Sequence, residues 1–171
     1  MSEIAKQVLI VMGVSGSGKT TVAEALDRRL GWPFQEGDDL HPAANVAKMH
    51  AGIPLDDDDR WPWLDAIASW IGARLADGGA GVVTCSALKR AYRERLAGGR
   101  SGVRIVYLHA SSELLHERLA KRRGHFMPAS LLDSQLATLE EPGPDENPIR
   151  IEDVGTPDQV ADAIMAALPK R

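Results

Sequence analysis

A strand pattern, a glycine-rich segment and a helix pattern follow one another without a break near the start of the chain. Residues 8–12 read VLIVM, and a continuous apolar run rich in β-branched side chains is typical of a strand buried on both faces of a parallel sheet. Residues 13–20 read GVSGSGKT, and from Lys19 onward apolar residues recur every four positions until Gly31, a typical helix stop. This order predicts an α/β domain with the glycine segment between its first strand and its first helix.

The glycine segment satisfies the pattern GxxxxGK(S/T), and its strand and helix context is the one that this phosphate-binding motif requires. Its glycines let successive backbone N–H groups turn toward phosphate oxygens, the helix N-terminus adds positive potential, and Lys19 reaches the β and γ oxygens of a nucleotide. The hydroxyl of Thr20 is the expected ligand of Mg²⁺. The predicted nucleotide site consists of Gly13, Val14, Ser15, Gly16, Ser17, Gly18, Lys19, Thr20 and Thr21.

The whole chain is predicted to be one domain, residues 1–171, because its length provides for a single core. Apolar runs predict four further strands at 33–36, 82–85, 103–108 and 149–151. Helical periods and capping signals predict helices at 42–51, 60–77 with Pro62 in its first turn, after Leu88, from Ser111 or Ser112 to about Gly124, at 128–139 and from Thr156. This alternation indicates a doubly wound parallel sheet of about five strands flanked by helices.

Composition excludes several classes of partner. Twenty Lys and Arg against 24 Asp and Glu give a net charge of −4, so the chain lacks the positive field that gathers nucleic acid or an anionic membrane surface. No apolar run approaches the roughly 20 residues that span a bilayer, and residues 8–14 lack a signal-peptide cleavage site. A single cysteine, Cys85, excludes an intrachain disulfide and fits a reducing compartment. We therefore expect a cytoplasmic protein with a small-molecule substrate.

A phosphate-binding loop alone is compatible with a kinase, a GTPase, a motor or a nucleotide-controlled switch. The NKxD element by which GTPases normally read guanine does not occur in the sequence, and 171 residues are too few for a large ATPase. Two classes remain: a small kinase, and a noncatalytic ATP-dependent binding module.

Three further segments closely resemble the small P-loop gluconokinase, or gluconate kinase, family. They are GDDLHPAANVAKMHAGIPLDDDDRWPWL at 37–64, CSALKRAYR at 85–93, and RRGHF at 122–126 followed by Gln135 and by TLEEP at 138–142. The resemblance runs in order from about residue 8 to residue 142. It implies phosphorylation of D-gluconate on its 6-hydroxyl with ATP and Mg²⁺, a fold like that of shikimate and adenylate kinases, a mobile lid at about residues 118–137, and a homodimer.

Other kinases of that fold are the nearest alternatives. Shikimate kinases have a glycine cluster where this chain reads TCSALK, and nucleoside monophosphate kinases usually have an arginine after the GD that opens GDDLHP here. Both comparisons rest on resemblance. They count against these two alternatives but do not exclude them.

Phosphoryl transfer needs a carboxylate that orients the attacking hydroxyl and accepts its proton. Asp38 follows the second predicted strand and is our candidate, with Lys19 and Arg122 as the other catalytic residues. A sugar acid calls for a bidentate guanidinium, and Arg60 is the candidate for its carboxylate; an ion pair with the aspartates at 56–59 is the alternative. The further candidate substrate contacts are His41, Lys48, Ser86, Lys89, His125 and Gln135. The alternative for His41 and Lys48 is a solvated helix residue, and for Lys89 it is a surface charge.

Arg118 and Arg122 lie one helical turn apart and face the same side. In related kinases one lid arginine covers the transferring phosphate and another stacks on adenine, so the resemblance implies that both bind the nucleotide. The alternative is an exposed basic helix face. Glu36 stands where such kinases often have an aspartate that contacts magnesium through water, which leaves the second metal contact open between Glu36 and Asp38.

Overall fold

The computed structural model describes residues 4–121, 129–153 and 155–170. Its five strands are β1 (Val8–Met12), β2 (Phe34–Glu36), β3 (Gly81–Thr84), β4 (Val103–His109) and β5 (Ile149–Glu152). They form one parallel sheet in the order β2-β3-β1-β4-β5, with Val8 beside both Gly81 and Val103. The predicted five-stranded parallel sheet is confirmed.

Seven α-helices of the described residues flank the sheet. They are α1 (Lys19–Leu30), α2 (Ala43–His50), α3 (Asp57–Ala76), α4 (Arg90–Ala97), α5 (Ser112–Lys121), α6 (Ala129–Thr138) and α7 (Pro157–Ala167). Short 3₁₀ turns lie at Gly37–Leu40 and Pro144–Glu146. Helices α1 and α7 pack on one face of the sheet and α3 packs on the other, so every residue of β1 is buried. No helix in the described ranges is long and apolar enough to cross a membrane.

The start of α3 corrects the sequence prediction. The helix begins at Asp57 and not at Arg60, because Asp56 is its N-cap: the Asp56 carboxylate accepts from the backbone N–H of Asp59, and the Asp59 carboxylate accepts from that of Asp56. Pro62 therefore lies inside the helix and not in its first turn. The aspartate run therefore supplies the N-cap and the first turn of α3.

Parallel strands bring the chemistry-bearing loops to one edge of the sheet. The glycine segment follows β1, the 3₁₀ turn with Asp38 follows β2, and Ser86 follows β3, and these three strands are neighbours. Because the carboxyl ends of parallel strands share an edge, three segments that are far apart in sequence meet there.

Candidate active site

The glycine segment at residues 13–20 wraps the N-terminus of α1. Gly18 is the N-cap and has a φ of 86°, a left-handed conformation in which a side chain is strained. The Lys19 ammonium lies over the loop, where it donates to the carbonyl oxygens of Gly13 at 2.9 Å and Val14 at 3.1 Å. The predicted loop and helix start therefore occur together in the structure, with the lysine on the phosphate side.

A carboxylate lies beside the first turn of α1. The Thr20 hydroxyl donates to Glu36 Oε2 at 2.6 Å, and the Thr84 hydroxyl donates to Glu36 Oε1 at 2.5 Å. Because Thr20 gives its proton to Glu36, its oxygen lone pairs remain available to a cation. Mg²⁺ in kinase sites takes one or two protein oxygens and completes its shell with phosphate and water, so this donor set fits Mg²⁺. Among the described residues no cluster of three or more His, Cys, Asp or Glu offers a separate metal cage.

One pocket is lined both by the glycine segment and by predicted substrate contacts. It is open to solvent, and its empty space, including that at the mouth, is about 660 Å³. Its polar lining consists of Ser15, Lys19, Asp38, His41, Arg60, Ser86, Ser134 and Gln135. Its apolar lining consists of Met49, Ile53, Pro54, Leu55, Trp63, Leu88 and Leu131. The structure thus brings five predicted substrate contacts to the cavity that Lys19 also lines. They are Asp38, His41, Arg60, Ser86 and Gln135.

Gly37 sets the position of Asp38. A Cβ at Gly37 would lie 1.8 Å from the carbonyl oxygen of Thr84, so only glycine lets the 3₁₀ turn approach β3 this closely. The Gly37 N–H donates to the Thr84 hydroxyl at 3.0 Å, and its carbonyl accepts from the indole N–H of Trp63 at 2.8 Å. The next residue, Asp38, keeps 69% of its side chain exposed toward the open pocket.

His41 lies flat against Trp63 behind Asp38. The two ring centroids are 4.0 Å apart with an interplanar angle of 16°, and only 3% of the His41 side chain is exposed. Its Nε2 lies 3.8 Å from Asp38 Oδ1. Burial lowers the pKa of His41 below its ordinary value; Asp38 opposes this effect and Arg60 reinforces it. Burial and the nearby Arg60 therefore favour the neutral form of the ring.

Asp59 ties α2 to the start of α3. Its carboxylate accepts from Lys48 Nζ at 2.6 Å, which lowers the pKa of Asp59, and its backbone carbonyl accepts from Asn45 Nδ2 at 2.8 Å. Lys48 thus contacts Asp59 and does not line the pocket. Its assignment as a substrate contact stays a prediction.

Arg60 is held by an aromatic residue of α4. Its Nη1 donates to the Tyr92 hydroxyl at 2.8 Å, and its guanidinium carbon lies 5.3 Å from the centre of that ring. The Tyr92 hydroxyl donates in turn to Asp57, which also accepts from Lys89 Nζ at 3.2 Å. These hydrogen bonds hold the pKa of Asp57 below its ordinary value. Asp57 pairs with Lys89, while Arg60 makes no ion pair with a carboxylate of the described residues and faces the pocket.

Helices α5 and α6 brace the glycine segment from its outer side. Arg118 Nη1 donates to the Gly16 carbonyl at 2.9 Å and to the buried carboxylate of Asp153 at 2.7 Å. Gln135 accepts from the backbone N–H of Ser15 at 2.8 Å and donates to the Ser15 hydroxyl at 3.1 Å. Arg122 and His125 lie outside the described residues. Their roles, and the lid predicted at about 118–137, stay predictions.

Four residues that the sequence analysis gave no role or left undecided organise this site. They are Glu36, Asn45, Tyr92 and Asp153. Asn45 stands four residues after His41, but this spacing does not reveal that Asn45 donates to the backbone of Asp59 or that His41 stacks on Trp63. Tyr92 and Asp153 carry no sequence signal, because their partners are 32 and 35 residues away along the chain.

Known proteins resemble this chain over most of its length. A family model described as an AAA domain matches residues 8–142. A gluconokinase of Gluconobacter oxydans (strain 621H) is 55% identical over 157 residues, which cover 92% of this chain and 88% of that protein. The crystal structure of a gluconokinase from Sinorhizobium meliloti 1021 has a TM-score of 0.85 and 45% identity, covering 96% of this chain and 91% of that one. An unliganded sugar kinase from Janibacter sp. HTCC2649 has a TM-score of 0.88 and 46% identity, covering 95% and 94%.

Proposed function

Because this chain belongs to the gluconokinase family of small P-loop kinases, we propose that it transfers the γ-phosphoryl group of ATP to the 6-hydroxyl of D-gluconate. The products are 6-phospho-D-gluconate and ADP. The enzyme is a phosphotransferase with an alcohol group as acceptor. The observation that carries this proposal is the single pocket in which Lys19, Asp38 and Arg60 meet.

Each of these residues has a role that its surroundings suit. Asp38, exposed at the pocket, orients the 6-hydroxyl and accepts its proton as the new oxygen–phosphorus bond forms. Lys19 and the backbone N–H groups of residues 13–20 neutralise charge on the β and γ oxygens as the bond to ADP breaks. Arg60, steadied by Tyr92, binds the substrate carboxylate through its planar fork.

Thr20 and Glu36 are the residues that would hold Mg²⁺. When bound, the ion neutralises charge on the phosphate oxygens. In the same proposal Thr21 and Arg118 contribute to the nucleotide site, and His41, Ser86 and Gln135 contact hydroxyls of the sugar acid. A homodimer, a cytoplasmic location and the lid with Arg122 and His125 complete the proposal from the family resemblance.

A coupled ADP-release assay with MgATP and a panel of acceptors tests the function. The panel is D-gluconate, shikimate, AMP and D-glucose, and the product is identified by its mass and by the position of its phosphate in NMR spectra. We expect turnover on D-gluconate alone, with the phosphate on the 6-oxygen. Turnover on shikimate or AMP instead would show that the protein is a kinase but would contradict D-gluconate as its substrate.

The competing class is a noncatalytic ATP-dependent module. Such a module would bind ATP, and no acceptor would accelerate ADP release. D-glucose is the matched neutral control, because it offers the same 6-hydroxyl without the carboxylate that Arg60 is proposed to bind.

A further inference from the structure

The side-chain amide of Asn45 fixes which ring nitrogen of His41 carries the proton. Asn45 Nδ2 lies 2.8 Å from the backbone carbonyl oxygen of Asp59, and a carbonyl oxygen only accepts, so the atom there is the nitrogen of the amide. The same nitrogen lies 3.1 Å from His41 Nδ1. With one hydrogen given to Asp59, the other is directed at Nδ1. His41 Nδ1 is therefore an acceptor.

A neutral imidazole has one donor nitrogen and one acceptor nitrogen. With Nδ1 accepting from Asn45, the ring proton is on Nε2, the atom that faces Asp38 from 3.8 Å. Stacking on Trp63 prevents the ring from turning away, since Trp63 is itself tied to Gly37. Asn45 is buried, with 2% of its surface exposed, so water does not compete for these hydrogen bonds.

We propose that Asn45 is a positioning residue that locks His41 as an Nε2–H donor, and that this N–H binds an oxygen of the sugar acid beside Asp38. The proposal rests on the proposed gluconokinase function. The proposal also assigns different roles to His41 and Asp38. Because Nε2 of His41 already carries a proton, the proton of the substrate hydroxyl goes to Asp38 and not to His41.

The tautomer is measured directly by NMR on the unaltered protein without substrate. Long-range ¹H–¹⁵N correlations distinguish protonated from unprotonated ring nitrogens, and the His41 signals are assigned by their loss in His41→Gln. At a pH of about 8, above the ordinary pKa of histidine, we expect Nε2 to be protonated and Nδ1 to be bare. A proton on Nδ1 would overturn the proposal.

Asn45→Asp replaces the donor by an acceptor at nearly the same volume. A carboxylate beside Nδ1 favours a proton there, so the tautomer pattern should reverse and kcat/KM for D-gluconate should fall by about tenfold or more, as for a lost hydrogen bond to the substrate. The KM for ATP should change little. Asn147→Asp is the matched control, since Asn147 is exposed, does not line the pocket and receives the same change of charge. Equal activity of the two variants would refute the role of Asn45.

Two variants of His41 keep the proposal testable if Asn45→Asp does not fold. The amide nitrogen of Gln superposes on Nε2 and that of Asn on Nδ1, so His41→Gln should retain more kcat/KM than His41→Asn. The reverse order would contradict an Nε2–H donor. Absence of gluconate-dependent turnover in the unaltered protein would refute the proposed function. The NMR measurement would still determine the tautomer of His41 in that case.

Discussion

The two sides of the pocket are built in different ways. The phosphate side, residues 13–20, is one continuous segment whose expected ligands are mainly backbone N–H groups. The acceptor side, Asp38, His41 and Arg60, consists of side chains on different segments, and hydrogen bonds between residues 14 to 35 positions apart hold these segments together. The phosphate side should therefore tolerate exchange of most side chains, whereas the acceptor side should not.

Asp38→Asn is the change from which we expect the largest effect. The amide keeps the shape of the carboxylate but cannot accept the hydroxyl proton, so kcat should fall by about 10²- to 10⁴-fold. The KM for ATP should stay within about twofold, because the phosphate side is untouched. Steady-state kinetics with D-gluconate measure both constants.

Asp39→Asn is the matched control for that experiment. Asp39 is the exposed neighbour in the same 3₁₀ turn and does not line the pocket, so this variant loses the same charge at a distance from the reaction. Full activity of Asp38→Asn would remove Asp38 from the mechanism, and equal loss in both variants would point to a general effect of charge.

Arg60→Lys comes next in expected size. Lysine keeps the charge but loses the planar fork and the contact with Tyr92, so the KM for D-gluconate should rise by roughly tenfold while the KM for ATP is unchanged. Arg95→Lys on the exposed face of α4, where Arg95 pairs with Asp65, is the control. Equal rises in both Michaelis constants would contradict the assignment of Arg60 to the acceptor side alone.

The difference between the two sides also explains what the sequence could predict. The ends of β1 and α1 and the glycine segment were predicted correctly, because the phosphate side depends on local backbone geometry. The candidate residues Asp38, His41 and Arg60 were found through the family resemblance, and the structure brings them into one pocket. The start of α3 was predicted three residues late, because the mutual capping of Asp56 and Asp59 was not recognised.

The partners on the acceptor side were beyond sequence reasoning. Lys48 and Lys89 carry the charge that suits a sugar acid, yet each pairs with an aspartate of the α3 cap. The sheet order determines which loops lie together. The packing of α3 against α2 and α4 determines which of their side chains become neighbours. Tyr92, on the buried face of α4, could be assigned to Arg60 only from the folded chain.

Tyr92→Phe is expected to have a smaller effect than Arg60→Lys. The variant removes one hydroxyl that links Arg60 to Asp57 but leaves the ring under the guanidinium, so we expect the KM for D-gluconate to rise by about threefold, as for one net hydrogen bond. Tyr107→Phe is the control, because Tyr107 donates to Glu141 outside the acceptor side. Identical kinetics of the two variants would show that the hydroxyl of Tyr92 does not position Arg60.

Ser17→Ala should have the smallest effect on catalysis, although Ser17 lies in the middle of the phosphate-binding motif. Its hydroxyl is fully buried and is the one buried side-chain polar atom of the described residues without a hydrogen-bond partner. Alanine keeps the backbone N–H and removes a polar group that costs free energy in the folded state, so the KM for ATP should not change and the melting temperature should rise by about 2 °C. Ser15→Ala is the contrast, because it deletes the acceptor of Gln135 Nε2 and should lower the melting temperature. If backbone N–H groups bind the phosphates, the ATP affinity of Ser17→Ala should be about unchanged. A tenfold loss of ATP affinity would mean that the phosphate side depends on side chains, as the acceptor side does.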